Sequence, residues 1–196
     1  MTRYAPFYCE ENIWHLANDG HIQGVAFISN PRQQVACFAQ GRSAAGDVMV
    51  WDYHVIGFAT EATSGALRVW DFDSLLPSPA LAASYLAATF PVLPAKFRHV
   101  APWFRICTAA DFVANFASDR RHMRKPDGSW QNPPPPWPCI QVVGQPDHTL
   151  GDFVDVTGST RAPGIILAAP TMQAAHAAMT AMTGGASCPD APNHPA

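Results

Sequence analysis

Cys9, His54 and Asp71 supply a thiol, an imidazole and a carboxylate. Together these groups can make an activated nucleophile: the thiol attacks, the imidazole takes and returns its proton, and the carboxylate fixes the ring and steadies the imidazolium. Cys9 directly precedes Glu10 and Glu11, two acids of the kind favoured in the first turn of a helix by its dipole. That puts Cys9 at or just before a helix N-terminus, where unpaired backbone N–H groups stabilise a thiolate. The opposing reading makes Cys9 a small buried hydrophobe, with the two acids resisting its ionisation. His54 sits in the run Trp51-Asp52-Tyr53-His54-Val55, whose aromatic and β-branched residues favour a strand and so a ring that can be aimed.

The elements that must position these groups follow from the pattern around them. Ile13, Trp14, Leu16 and Ala17 form an apolar helical stripe that Gly20 stops. Gly24 to Ser29 and Val35 to Ala39 read as strands, with an Asn30-Pro31 turn between them. The stretch from Gly41 to Asp47 reads as a loop, then one strand from Val48 to about Ala59, a turn over residues 60–65 and a return strand from Ala66 to Asp73. A simple hairpin centred on that turn pairs Phe58 with Leu67 and sets Asp71 directly opposite His54, with Cβ atoms about 5 Å apart. Asp73 and Asp52 share that face as diagonal competitors. An ordinary cross-strand ion pair is the alternative to a catalytic one.

Composition narrows the classes of function. A chain of 196 residues with 48% hydrophobic and 14% charged residues, 11 Phe and 6 Trp can build one domain with its own core. A net charge of −3 and scattered arginines offer no basic field for phosphates, so nucleic acid is not expected as a partner. Five cysteines, Cys9, Cys37, Cys107, Cys139 and Cys188, form no C-x-x-C pair and argue against a disulfide framework and a zinc ribbon; Cys37 reads as core. With no apolar run near a membrane span and no leader-like N-terminus, the expectation is a soluble cytoplasmic monomer that meets no membrane.

Further along, Ala80 to Phe90 has the composition of a helix closed by Pro91 and Pro94. Val100 to Cys107 reads as a strand disturbed early by Pro102, at the sheet edge or joining it late. Asp111 suggests the start of a helix running to Met123. Pro133 to Pro138 must be extended polyproline II, as a stiff strap, a linker or a peptide ligand. The chain divides as a catalytic domain over 1–167 and an Ala/Pro/Gly-rich tail over 168–196 that holds a short helix around Met172 to Met182.

A thiol at a helix start, a histidine on a strand and an acid on the next strand resemble the papain and transglutaminase class. The implied fold is an α/β domain, an α-β-α sandwich around a mainly antiparallel sheet. Five blocks narrow the resemblance: Tyr8 to Trp14, Ala26 to Asn30, Val50 to Val55, Asn115 to Arg120 and Pro133 to Ile140. In this order they resemble the protein N-terminal glutamine amidohydrolase family. The resemblance implies deamidation of an N-terminal glutamine to glutamate in proteins or peptides, an N-degron type of activity, with no metal or cofactor. It carries Cys9, His54 and Asp71 over as the catalytic residues, Asp73 competing with Asp71, and its likeness fades after about Gly164.

Restriction to a first residue requires a closed pocket and a group that reads the α-ammonium. Glu10, Asp52 and Asp119 are candidates for that reader, Asp119 being also a partner for an Asp119–Arg120 ion pair. Trp51 and Trp137 are candidates for pocket walls or for core. Two other readings stay open: an N-terminal-nucleophile hydrolase with Cys9 exposed by processing, and a non-catalytic peptide-binding module built on the polyproline strap.

Overall fold

The structure is a computed structural model, and it describes residues 3–41 and 47–184. The first helix, α1 (Cys9–Asn18), begins where the sequence pattern places it, with Tyr8 as its N-cap. Asn12 ties the preceding chain to the helix: its Oδ1 accepts from the Ala5 N–H at 2.8 Å and its Nδ2 donates to the Ala5 carbonyl at 2.9 Å. Gly20, at φ +76°, takes the left-handed conformation that ends the helix region.

The strands are β1 (Gly24–Ser29), β2 (Val35–Cys37), β3 (Met49–Trp51), β4 (His54–Thr60), β5 (Leu67–Trp70), β6 (Ala80–Leu81), β7 (Trp103–Thr108) and β8 (Ile165–Leu167). Six of them form one sheet in the order β6-β5-β4-β1-β7-β8, while β2 and β3 pair separately. Every paired neighbour is antiparallel. The remaining helices are α2 (Ala82–Thr89), α3 (Ala109–Asn115), α4 (Leu150–Val154) and α5 (Met172–Met182). Period-2 alternation along β1 and β4 feeds two apolar clusters, one per face. Val25, Phe27 and Val55 pack with α1, α3 and α4. Ala26, Ile28, Ile56 and Phe58 pack with α2 and α5. The chain is thus a single α/β domain with helices on both faces of an antiparallel sheet.

On the first face Phe27, Phe112, Phe116 and Phe153 are fully buried with ring centroids 4.8–6.3 Å apart, each worth roughly 1.5–3 kcal/mol of burial. On the second face Gly24 pairs with Phe58, and a Cβ at Gly24 would lie 2.2 Å from the Phe58 ring. Glycine there lets the ring lie across the strand.

Several expectations are corrected. The strand expected from Val48 to Ala59 is two strands, broken at Asp52-Tyr53, where Ser29 Oγ donates to the Asp52 carbonyl at 2.6 Å. The hairpin register pairs Phe58 with Val69 and Thr60 with Leu67, two residues from the expected one. A shift of two preserves the face, but Asp71 no longer stands directly opposite His54. Glu61 N–H bonds to the Ala66 carbonyl, closing a turn centred one residue further along the chain than expected, which moves the register by two.

Ala80-Leu81 forms an edge strand before α2 begins. β7 starts after Pro102 and lies inside the sheet, between β1 and β8. Thr108, not Asp111, caps α3: its Oγ1 accepts from the Asp111 N–H at 3.0 Å. α3 stops at Asn115, where Phe116 takes extended dihedrals (φ −91°, ψ 123°), and only a short 3-10 turn follows, after Arg120 at a left-handed φ of +64°. The helix expected around Met172 is α5, whose Ala175 and Met179 are buried against the second face. The loop expected over Gly41 to Asp47 falls largely outside the described residues, as does Cys188. No helix among the described residues is long and apolar enough to cross a membrane.

Gly24→Ala forces the Phe58 ring out of its place and costs about 1–3 kcal/mol by overpacking. Urea denaturation should show a lower midpoint with an unchanged slope; an unchanged midpoint would mean the ring is not constrained there.

Candidate active site

The sheet alternation puts His54 on the α2 face and α1 covers the other, so Cys9 and His54 meet only because His54 is the first residue of β4, at the strand's end. Both line one cavity of about 250 Å³, with Phe7, Trp51, Asp52, Tyr53, Asp73, His122, Met123, Gln131 and Asn132. Cys9 keeps partial exposure through that cavity while protein surrounds it elsewhere.

β5 ends at Trp70, and the chain turns so that Asp71 swings back toward His54. His54 Nε2 lies 3.0 Å from Asp71 Oδ1, and both side chains are almost fully buried. The distance is that of a close ion pair, although the ring N–H is not aligned well enough for a straight hydrogen bond. Asp71 is held in turn by the Tyr85 hydroxyl at 2.8 Å from α2, by Gln40 Nε2 at 3.4 Å and by the Asp73 backbone N–H at 3.0 Å. Trp51 stacks near the imidazole, with ring planes 16° apart and centroids 6.3 Å apart.

Burial alone would push the His54 pKa down; the Asp71 carboxylate, with Asp73 and Glu10 behind it, outweighs burial and raises it above 6.5. For Asp71 burial works upward, and the imidazole and the Tyr85 hydroxyl outweigh it. Burial also raises the Cys9 thiol well above its ordinary value, helped by Glu10 and Asp73 and opposed by a hydrogen bond from the Val55 backbone N–H. The helix start therefore does not by itself ionise this thiol; the two readings of Cys9 both capture part of its setting.

The other sequence candidates divide. Trp51 and Asp52 line the cavity. Glu10 is fully buried just behind it: Oε2 accepts from the Tyr53 hydroxyl at 3.1 Å and lies 3.7 Å from Cys9 Sγ, while Oε1 is 3.4 Å from His122 Nε2. Asp119 and Trp137 do not line the cavity. Asp119 pairs with Arg121 at 2.5 Å and lies 3.3 Å from His148, and the Arg121 hydrogen bonds hold its carboxyl down at about 2. Arg120 pairs instead with Glu11, by Nε–Oε1 and Nη2–Oε2 bonds of 2.8 Å each. Trp137 Nε1 donates to Glu11 Oε2 at 2.7 Å, and its ring packs edge-on against His15.

The same Arg120 guanidinium donates to the carbonyls of Pro135, Trp137 and Pro138, which ties the polyproline strap to the start of α1. Among the described residues, one group has ligand atoms close enough to hold a metal: His54, Asp71 and Asp73, within 4.8 Å of one another. Asp71 already serves Tyr85 and Gln40 within that group.

Residues 4–176 match the family described as N-terminal glutamine amidase. The chain belongs to that family. It is 38% identical over 169 residues to the protein N-terminal glutamine amidohydrolase of Arabidopsis thaliana, covering 80% of this chain and 76% of that protein. It is 35% identical over 164 residues to the Homo sapiens protein of the same name, covering 78% of each. The Drosophila grimshawi protein of that name is 35% identical over 173 residues, covering 83% of this chain and 82% of that one. The amidase-family match takes in every residue of the cavity. It also runs past Gly164, where the likeness was expected to fade, through β8 and into α5.

Sequence reasoning missed Tyr53, Tyr85, Gln40, His122, Gln131 and Asn132, which support or line this amidase-family cavity. Tyr53 alone carried a signal, as the neighbour of His54. The others come from distant segments and act through tertiary contact.

Replacing Arg120 by Ala leaves Glu11 charged and buried without its partner. Breaking such a pair costs about 3–5 kcal/mol and lowers the thermal midpoint by roughly 10 °C. Calorimetry on Arg120→Ala checks this; a midpoint within a degree or two of the parent would show that the strap holds without the pair.

Proposed function

We propose that this chain hydrolyses the side-chain amide of an N-terminal glutamine in proteins and peptides, giving N-terminal glutamate and ammonia, with Cys9 as nucleophile, His54 as acid and base, and Asp71 as orienter. The observation that carries this reading is the Cys9–His54 cavity backed by Asp71 at 3.0 Å, in a chain whose relatives bear the name protein N-terminal glutamine amidohydrolase. The thiol at a helix start beside a strand-borne histidine backed by an aspartate also supports the papain and transglutaminase-like architecture.

Burial favours the protonated Cys9 thiol in the empty site, so the proton is given up only once substrate is seated. With Nε2 turned to Asp71, Nδ1 of His54 is the nitrogen left to take it. Cys9 Sγ adds to the amide carbon, and first-turn backbone N–H groups of α1 stabilise the oxyanion. His54 then gives the proton to the departing nitrogen, and ammonia leaves a thioester on Cys9. Water attacks the thioester with His54 as base, glutamate forms, and the thiol regains its proton. Asp71, pinned by Tyr85 and Gln40, holds the ring through both halves.

The N-terminal-nucleophile alternative needs Cys9 at a chain start. The bonds of Ala5 to Asn12 and the full burial of Tyr8 instead support a nucleophile that works inside an intact N-terminal segment.

Ammonia release from a Gln-initiated peptide, set beside Asn-initiated and internal-Gln peptides, tests the reading. Cys9→Ala and His54→Ala abolish release; full activity in either would overturn it. Asp71→Asn slows turnover by on the order of 10²–10⁴. The acid limb of the pH profile reports His54 losing its proton to become a base, so it lies above 6.5 in the parent. Without the Asp71 charge the limb moves to lower pH.

A further inference from the structure

An enzyme for a first residue must read the α-ammonium, and the cavity wall limits what can do so. Asp119 is spent on Arg121 and His148 outside the cavity. Glu10 is fully buried behind Tyr53 and His122 and does not line the cavity. Among the described residues two carboxylates do line it, Asp52 and Asp73. Asp52 is exposed at the rim, with Oδ1 accepting from the Tyr53 N–H at 3.0 Å, and solvent screens its charge. Asp73 is buried, 8% exposed, where a charge interacts far more strongly.

Asp73 also stands at the right distance. A carboxylate oxygen of Asp73 lies within 4.8 Å of ligand atoms of both His54 and Asp71. In an extended glutamine the amide carbon and the α-nitrogen are about 5 Å apart by standard bond lengths. A substrate with its amide between Cys9 and His54 therefore brings its α-ammonium within reach of Asp73. The Tyr4 hydroxyl donates to Asp73 Oδ1 at 3.0 Å and fixes the carboxylate from the side of the N-terminal segment.

We propose that Asp73 takes the substrate's α-ammonium, and that the ion pair removes a negative charge from beside Cys9, so that the thiol is released for attack only when a free N-terminus is seated. This rests on the deamidase reading above. The groups that face Cys9 are Glu10 on its own helix, Tyr53 and His54 at the start of β4, Asp71 and Asp73 beyond β5, and His122 across the cavity. Of the acids among them, Asp73 is the one that both lines the cavity and holds the thiol's proton on. Asp73 is thus a specificity-determining residue whose effect reaches the chemical step as well as binding.

The test uses the full chain, a Gln-initiated peptide and its desamino counterpart, in which hydrogen replaces the α-ammonium without added bulk. In the parent, removing the ammonium lowers kcat/KM by on the order of a hundredfold, with kcat falling as well as KM rising. In Asp73→Asn the Gln-initiated peptide suffers a comparable loss, and removing its ammonium then changes kcat/KM only a few-fold. A second measurement needs no variant: the ultraviolet thiolate absorbance of the parent rises on adding a norleucine-initiated peptide and stays flat with its desamino form. The inference is overturned if Asp73→Asn keeps the parental ratio, or if both norleucine peptides give the same absorbance response. A parent that releases no ammonia from the Gln-initiated peptide would instead overturn the underlying reading, and the absorbance comparison would still decide the role of Asp73.

Discussion

The buried ion pair between Glu11 and Arg120 is the constraint on which the cavity depends. It joins the first turn of α1, two residues from Cys9, to a segment more than a hundred residues away, and its guanidinium also holds three carbonyls of the polyproline strap. A charge buried this deeply is tolerable only when its partner and nearly all its donors are satisfied. Arg120 meets that condition by adopting a left-handed backbone at φ +64°, a conformation a non-glycine residue keeps only when its surroundings over-determine it. The strap is therefore a clamp on the start of α1, and it fixes the helix end from which Cys9 projects.

The site assembles where elements end. Cys9 begins a helix on one face of the sheet, His54 begins a strand whose parity points to the other face, and Asp71 follows the last residue of β5. Only at the strand terminus can groups from the two faces converge, and the break at Asp52-Tyr53 creates that terminus. α2 then supplies Tyr85 from the far face to hold Asp71, so the ring is braced from behind while the thiol approaches from the front. Fully buried Glu10, held by the half-buried Tyr53 and His122 of the cavity wall, backs the cavity on the thiol side. Acidic groups thus add to burial in holding the proton on the Cys9 thiol.

Much of this was legible beforehand. Strand β1 and the start of α1 were readable because a short periodic run bounded by glycine or proline carries its own signal. His54 and Asp71 still meet despite an error of two residues in register, because the chain turns after Trp70 and carries Asp71 back to the ring. Placing a helix start at Asp111 failed because Thr108 is the better placed cap, and extending it to Met123 failed because the chain turns extended at Phe116 and Ser118 pairs with Ile140 instead. Trp137 looked like a pocket wall by its aromatic character, yet its indole N–H is bound to Glu11.

By itself the sequence determined which residue types could do the chemistry, that Cys9 falls at the start of a helix and His54 on a strand, and that the chain carries a family's ordered blocks, because these depend on local spacing and identity. Only the tertiary structure decided which acid each base and cation would meet. Arg120 met Glu11 rather than its neighbour Asp119, Asp71 met His54 through a turn rather than a paired register, and Asp73 came to line the cavity. Such pairings are settled by burial, since a desolvated charge must find its partner among whatever the packed elements bring near, and sequence proximity has no bearing on that cost.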